Sequence, residues 1–240
     1  MNRTLRILST ALITAGLVVL LDVGLTLAWK EPLSTIYGSI QQGKASEELE
    51  ELEDGFLNDA ILRQVAGIRG TEERAAALAD LFEPELEKGR PIGRIDVPAI
   101  DADYVVVEGT DTASLRKGPG HYTRFDDPAV REQGDGSALP GQGRTIGIAG
   151  HRTTYLAPFR KLNELSEGDE VTVEMPYATF TYVVEKTDIV DPDQISVVKD
   201  VGYERLVLTA CHPLYSAAQR IVAFAKLDSI SLRETGGRGP

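Results

Sequence analysis

The chain has 240 residues, 42% hydrophobic and 26% charged, a composition that fits one globular domain with appendages and excludes collagenous, wholly disordered and multi-pass membrane classes. Its 37 acidic against 25 basic residues give a formal charge of -12, which excludes nucleic-acid backbone neutralisation as its main business. The single cysteine, Cys211, rules out an intramolecular disulfide and any Cys-x-x-Cys zinc site.

Residues 1–6 hold Arg3 and Arg6 and read as a short cytoplasmic tail. Residues 7–29 are apolar apart from small polar residues and Asp22, long enough to cross a hydrocarbon core of roughly 30 Å. Basic residues precede this run and acidic ones follow it, so the positive-inside rule places the N-terminus in the cytoplasm and the remainder outside the cell membrane. A cleaved signal peptide is the competing reading. The run exceeds the usual length of about 7–15 residues, and no small-x-small cleavage site follows it. Asp22 costs least near the outer end of the span, where it falls.

Residues 30–90 read as an acidic, partly helical stalk. Between positions 44 and 88 there are 13 acidic and 5 basic residues, a net -8 of the chain's -12. Leu49, Leu52 and Phe56, then Ile61, Leu62, Val65 and Ile68, recur at helical spacing, with breaks at Gly55 and at Gly67 and Gly70. This pattern predicts a solvated spacer, with a partner-binding or autoinhibitory arm as the alternative.

Residues 91–228 change to short β-rich runs bounded by Gly, Pro and Asp: 92–97, 104–107, 145–149, 171–175, 179–184, 205–210 and 220–226. The fold class is therefore mostly β, a barrel or a sandwich. A hairpin connection is expected over 175–179, one helix over 157–165 and a mobile surface loop over 131–143. Residues 229–240 read as a disordered tail.

Cys211 follows the apolar run 206–210 and precedes His212 and Pro213; proline cannot continue a central strand, so the thiol falls at a strand end. His151 ends the run 144–150, whose small residues Gly147, Ala149 and Gly150 would admit a close neighbour. Placing Cys211 opposite Arg220 in an antiparallel hairpin sets Thr209 against Val222 and Val207 against Phe224, although it also opposes Arg205 to Lys226. An isolated thiol has a pKa of about 8.5, and a neighbouring imidazolium and guanidinium favour its anion. Arg220, with five N–H donors, suits a developing oxyanion. The structural alternatives are a core cysteine and surface hydrogen-bonding His and Arg.

The segments Gly150-His151-Arg152-Thr153, Leu208-Thr209-Ala210-Cys211-His212-Pro213-Leu214-Tyr215-Ser216-Ala217 and Gln219-Arg220-Ile221-Val222 resemble, in order and spacing, the three signature segments of sortases, most closely the class E housekeeping sortases of actinobacteria. Residues 157–159 and 162–165 add supporting matches. The resemblance implies a closed sortase-type β-barrel and a membrane-anchored cysteine transpeptidase. Its partners would be secreted proteins with a C-terminal sorting signal of the LPxTG or LAxTG kind and a cell-wall precursor amine resembling lipid II. In that reading Cys211 attacks the signal's threonine carbonyl, His151 protonates the leaving glycine amine, and Arg220 holds substrate or oxyanion; thiolate and imidazolium form the active pair. Thr209, Ala210, His121, Tyr122 and His212 become candidate substrate contacts, and neither metal nor cofactor is required.

One departure from the family pattern is Ala210, where many members carry Thr before the cysteine; the missing hydroxyl motivates a noncatalytic, membrane-tethered binding module as the alternative function. A zinc hydrolase built on Cys211, His212, His151 and His121 is a third reading, disfavoured because no carboxylate–His motif accompanies them. Asp101, Asp103, Asp188, Asp191 and Asp193 read as turn residues, not calcium ligands.

Overall fold

A computed structural model of the chain describes residues 3–28, 32–124 and 132–233. Helix α1 (Arg3–Ala28) stands apart, its large apolar side chains exposed, and it is long and apolar enough to cross a membrane by length and composition. After it come α2 (Pro32–Phe56), α3 (Asp59–Val65) and α4 (Thr71–Phe82).

Eight strands then close a barrel: β1 (Pro91–Val97), β2 (Ala102–Glu108), β3 (Gly120–His121), β4 (Thr145–Ala149), β5 (Glu170–Glu174), β6 (Ala178–Val190), β7 (Arg205–His212) and β8 (Gln219–Leu232). A one-turn helix, α5 (Thr112–Leu115), lies between β2 and β3. The order round the barrel is β1-β2-β3-β4-β7-β8-β6-β5, with β5 pairing back onto β1, so the closed sheet presents no free edge. Expected and observed strands agree closely. The two-residue β3 has no counterpart in the sequence pattern, and β6, β7 and β8 run beyond their expected ends.

Two pairings decide where chemistry can occur. Strands β4 and β7 are parallel, with Ala149 beside Thr209, so both chains leave the sheet at the same barrel end. Strand β8 is antiparallel to β7 with Cys211 opposite Arg220, Thr209 opposite Val222 and Arg205 opposite Lys226, so its first residues start at that same end. The hairpin register anticipated from the sequence is the observed one.

Alternation along β7 sorts its side chains. Leu206, Leu208 and Ala210 face the barrel interior with Ile221, Ala223 and Ala225, while Val207 packs on the outer face with Val222, Phe224 and Val198.

The segment read as a solvated stalk is instead folded onto the barrel. Ala75, Leu78, Ala79 and Phe82 line one face of α4 and join the core, as do Phe56 and Val65. Each large side chain so buried is worth about 1.5–3 kcal/mol. In α2, Ala45 and Leu49 pack on Val105, leaving the acidic residues Glu47, Glu48, Glu50 and Glu51 to solvent. The net charge masked this apolar stripe.

Gln42 of α2 acts as a substitute strand: Val105 N–H donates to its Oε1 at 2.8 Å, and its Nε2 donates to the Val105 and Lys117 carbonyls. This satisfies the part of β2 that the short β3 does not reach.

Two further expectations change. Asp135, Ala138 and Leu139 are buried, so this stretch is not a surface loop: Gly141 and Gly143 N–H groups donate to the Glu204 carboxylate, and Tyr177 Oη donates to the Pro140 carbonyl at 2.7 Å. Residues 229–232 continue β8, while 234–240 and 125–131 lie outside the described residues. Over 157–165, only Leu162–Glu164 is helical, and that is a 3-10 turn, because Tyr155, Leu156 and Ala157 adopt left-handed backbone angles (φ 49°, 68° and 48°).

Candidate functional site

Cys211 is half-buried at the end of β7 and carries a free thiol. Across the ladder stands Arg220, whose Nη1 donates to the Ala217 and Gln219 carbonyls at 3.0 and 2.9 Å, holding the guanidinium beside the 213–218 turn. The His212–Pro213 peptide bond at the strand's end is cis. On the other side of β7, Gly150 N–H donates to the Thr209 carbonyl at 2.9 Å, so the β4 chain is still in register when it delivers His151. The barrel topology therefore brings Cys211, His151 and Arg220 to one rim.

The imidazole is partly buried. Its Nε2 is buried and has no hydrogen-bond partner among the described residues, and its ring sits 5.3 Å from that of Tyr155. Burial, with the Arg116 charge adding to it, lowers the His151 pKa below its ordinary value. Both effects act against the charged ring, the form that the resemblance assigns to the active pair.

Arg152, to which the sequence reading assigned no role, is the structural hub. Only 4% exposed, it donates to the Cys211 carbonyl at 3.4 Å, to His212 Nδ1 at 3.1 Å, to the Arg160 carbonyl and to Asn163 Oδ1 at 2.5 Å. Because a guanidinium only donates, His212 Nδ1 accepts, which fixes its neutral tautomer with the proton on Nε2. Burial lowers the Arg152 pKa, the nearby Arg160 lowers it further, and Cys211 opposes both. The signal was present in the sequence as a charged residue flanking the strand-end histidine, but pattern alone does not distinguish a buried Arg from a surface one.

Below the rim a groove of about 510 Å³ runs between the 190–198 segment and the outer face of β7 and β8. Tyr122, Thr209, Arg220, Val222, Ile195 and Val198 are among its walls. Tyr122 Oη and Thr209 Oγ1 share a hydrogen bond of 2.9 Å, and burial raises the Tyr122 pKa. The small residues of β4 make room for internal rings rather than for a second chain: a methyl group on Gly147 would meet the Tyr122 ring at 2.7 Å, and one on Gly150 the Phe159 ring at 2.5 Å.

Two candidate contacts are placed elsewhere. His121 is 1% exposed, its Nδ1 2.7 Å from Glu108 Oε2 and its Nε2 3.0 Å from the Ala138 carbonyl, so it belongs to the barrel wall and not to the groove's rim. Ala210 is 4% exposed and faces the core, so a hydroxyl there would not reach a ligand in the groove, and the missing hydroxyl loses its force as a reason to doubt catalysis. Among the described residues no group of three or more His, Cys, Asp and Glu side chains could hold a metal ion.

Residues 95–228 match the family model "Sortase domain". The chain belongs to the sortase family. Sortases are cysteine transpeptidases. The barrel is similar in fold to the structure of a Clostridium perfringens Sortase D5 transpeptidase, which covers 79% of this chain and 99% of its own at a TM-score of 0.57, with 22% identity. The chain is 33% identical to Bacillus subtilis sortase D over 168 residues, covering 68% of this chain and 76% of that protein. The structure of sortase E from Streptomyces avermitilis is 31% identical, covers 63% of this chain and 97% of its own, and has a TM-score of 0.52.

Proposed function

We propose that this sortase is a membrane-anchored transpeptidase in which Cys211 is the nucleophile, His151 the proton carrier and Arg220 the oxyanion or substrate ligand. The convergence of β4, β7 and β8 on one rim, beside a groove of about 510 Å³ that Arg220 helps to line, carries this reading.

Cys211 gives its proton to His151, and Sγ attacks the carbonyl carbon of the sorting signal's threonine. Charge on the tetrahedral oxygen is met by Arg220. The Thr–Gly C–N bond then breaks, and the imidazolium returns its proton to the leaving glycine amine. A cell-wall precursor amine attacks the thioester, its surplus proton passes to His151, and the thiol is restored. Thr209 and Tyr122 line the signal's path, and Ala210 contributes its backbone alone. Helix α1 is the anchor, N-terminus inward, which keeps the barrel on the outer surface where secreted substrates emerge.

The class E assignment draws on the three signature segments and on the likeness to the Streptomyces avermitilis enzyme; Bacillus subtilis sortase D stands equally near in identity. Competition between LAxTG and LPxTG peptides decides the preference: a class E enzyme cleaves the former faster. The overall reading is tested by incubating the chain with such peptides. Cleavage between Thr and Gly that disappears in Cys211→Ala supports it, and full cleavage by Cys211→Ala rejects it.

A further inference from the structure

The segment joining the apolar helix to the barrel touches the loop that carries His151. Tyr155 N–H donates to Ser34 Oγ at 3.2 Å, the Tyr37 and Tyr155 rings meet edge to face at 6.0 Å, and Gly38 lies so close to Leu156 that a methyl group there would come within 2.9 Å of its side chain. These contacts hold a stretch where three consecutive non-glycine residues are left-handed, the one such run among the described residues, and a conformation that persists only when its surroundings impose it.

What they hold in place is the Tyr155 ring, 5.3 Å from the His151 imidazole, with the Arg116 guanidinium 5.7 Å from the ring centroid. His151 Nε2 is buried and has no hydrogen-bond partner among the described residues, so packing against the Tyr155 ring is the contact that bears on its direction.

We infer that Tyr155 is a positioning residue for His151 and that α2, the helix next to the membrane segment, keeps Tyr155 in place. The inference rests on the reading of His151 as the proton carrier. It adds a link that the sortase mechanism does not require: the first helix outside the apolar span bears, through a single ring, on the orientation and hydration of the reacting imidazole. Arg116, at the end of the α5 turn, is the charge that acts on that imidazole, Tyr155 stands beside it on its own loop, and Cys211 ends the adjoining strand.

The test uses the full chain in detergent micelles with three variants, Tyr155→Ala, Tyr155→Phe and Tyr37→Ala. Tyr37 packs on Tyr155 and is not among the groove's lining residues, so its substitution tests transmission through Tyr155. Tyr155→Ala is expected to lower kcat for peptide cleavage about tenfold with KM nearly unchanged, Tyr37→Ala about threefold, while Tyr155→Phe stays within about twofold of wild type.

A second readout does not depend on turnover. With labelled histidine the ring titrations of His121, His151 and His212 are followed by NMR. The His151 midpoint should move up in both alanine variants, as water reaches the ring, and stay put in Tyr155→Phe. Wild-type kcat and an unmoved His151 midpoint in both alanine variants would overturn the inference. A wild-type chain that cleaves no peptide, with the midpoint shift still seen in both alanine variants, would sink the proposed function and leave the Tyr155–His151 link standing.

Discussion

Cys211 stands directly opposite Arg220 across the antiparallel β7–β8 ladder, and the guanidinium is steadied there by the Ala217 and Gln219 carbonyls. A fixed cation beside a nucleophile stabilises both thiolate and oxyanion. Arg220→Ala should therefore reduce kcat/KM about 10²- to 10³-fold, the usual cost of losing one oxyanion donor. Arg220→Lys should recover only a small part, because a compact ammonium lacks the planar, spread fork that lets a guanidinium face two carbonyls and a developing charge in fixed directions. Steady-state cleavage of a sorting-signal peptide measures both.

Arg152 supports the same strand end from behind. Its removal leaves the Arg160 carbonyl and Asn163 Oδ1 without the donor they share, and loosens the Cys211 carbonyl and His212. Arg152→Ala is expected to cost about 2–4 kcal/mol, given about 1.5–3 kcal/mol for a hydrogen bond to a charged group and the penalty on orphaned acceptors. For a domain of this size each kcal/mol corresponds to a fall in Tm of about 2–4 °C. A thermal melt checks this; an unchanged Tm would show that Arg152 is not a hub.

The buried His121–Glu108 pair should give stability a pH dependence. Burial alone would lower the His121 pKa, but the hydrogen bond and charge of Glu108 prevail and raise it. A folded pKa above the unfolded value of about 6.5 means the contribution is complete below about pH 6.5 and is lost as pH rises through the folded value. The Tm difference between wild type and His121→Gln should accordingly shrink as pH is raised through that window. A difference that grows with pH would contradict the assignment.

Ala210 offers a sharper discrimination. Its side chain faces Ile221 and the core, so Ala210→Thr places a hydroxyl among apolar neighbours and not in the groove. The substitution should leave the ratio of LAxTG to LPxTG cleavage within about threefold of wild type while lowering Tm, since a buried hydroxyl without a partner costs about 1–3 kcal/mol. A large change in preference would place that side chain against the substrate.

The legible features of the sequence were those with strict periodicity or punctuation. Alternation and Pro213 located β7 and its end, and from them followed the register that sets Cys211 against Arg220. The two residues of β3 are too few for any period to show. The docking of α2–α4 was hidden because acidic residues on the outer faces dominate the composition, although Leu49, Leu52 and Phe56 already recurred at helical spacing. The left-handed run Tyr155-Leu156-Ala157 carries none of the residues that usually signal such angles, since it is imposed by contacts with Ser34, Tyr37 and Gly38 from far away in the chain.

The central claim is that Cys211 forms a thioacyl bond with a threonine carbonyl while His151 passes the proton. The most direct measurement is mass spectrometry of the chain mixed with a sorting-signal peptide in the absence of an acceptor amine. The expected result is an added mass equal to the peptide up to its threonine, mapped to Cys211, and greatly diminished in His151→Ala. An unmodified Cys211 alongside cleaved peptide, or an adduct that forms equally fast without His151, would contradict the account.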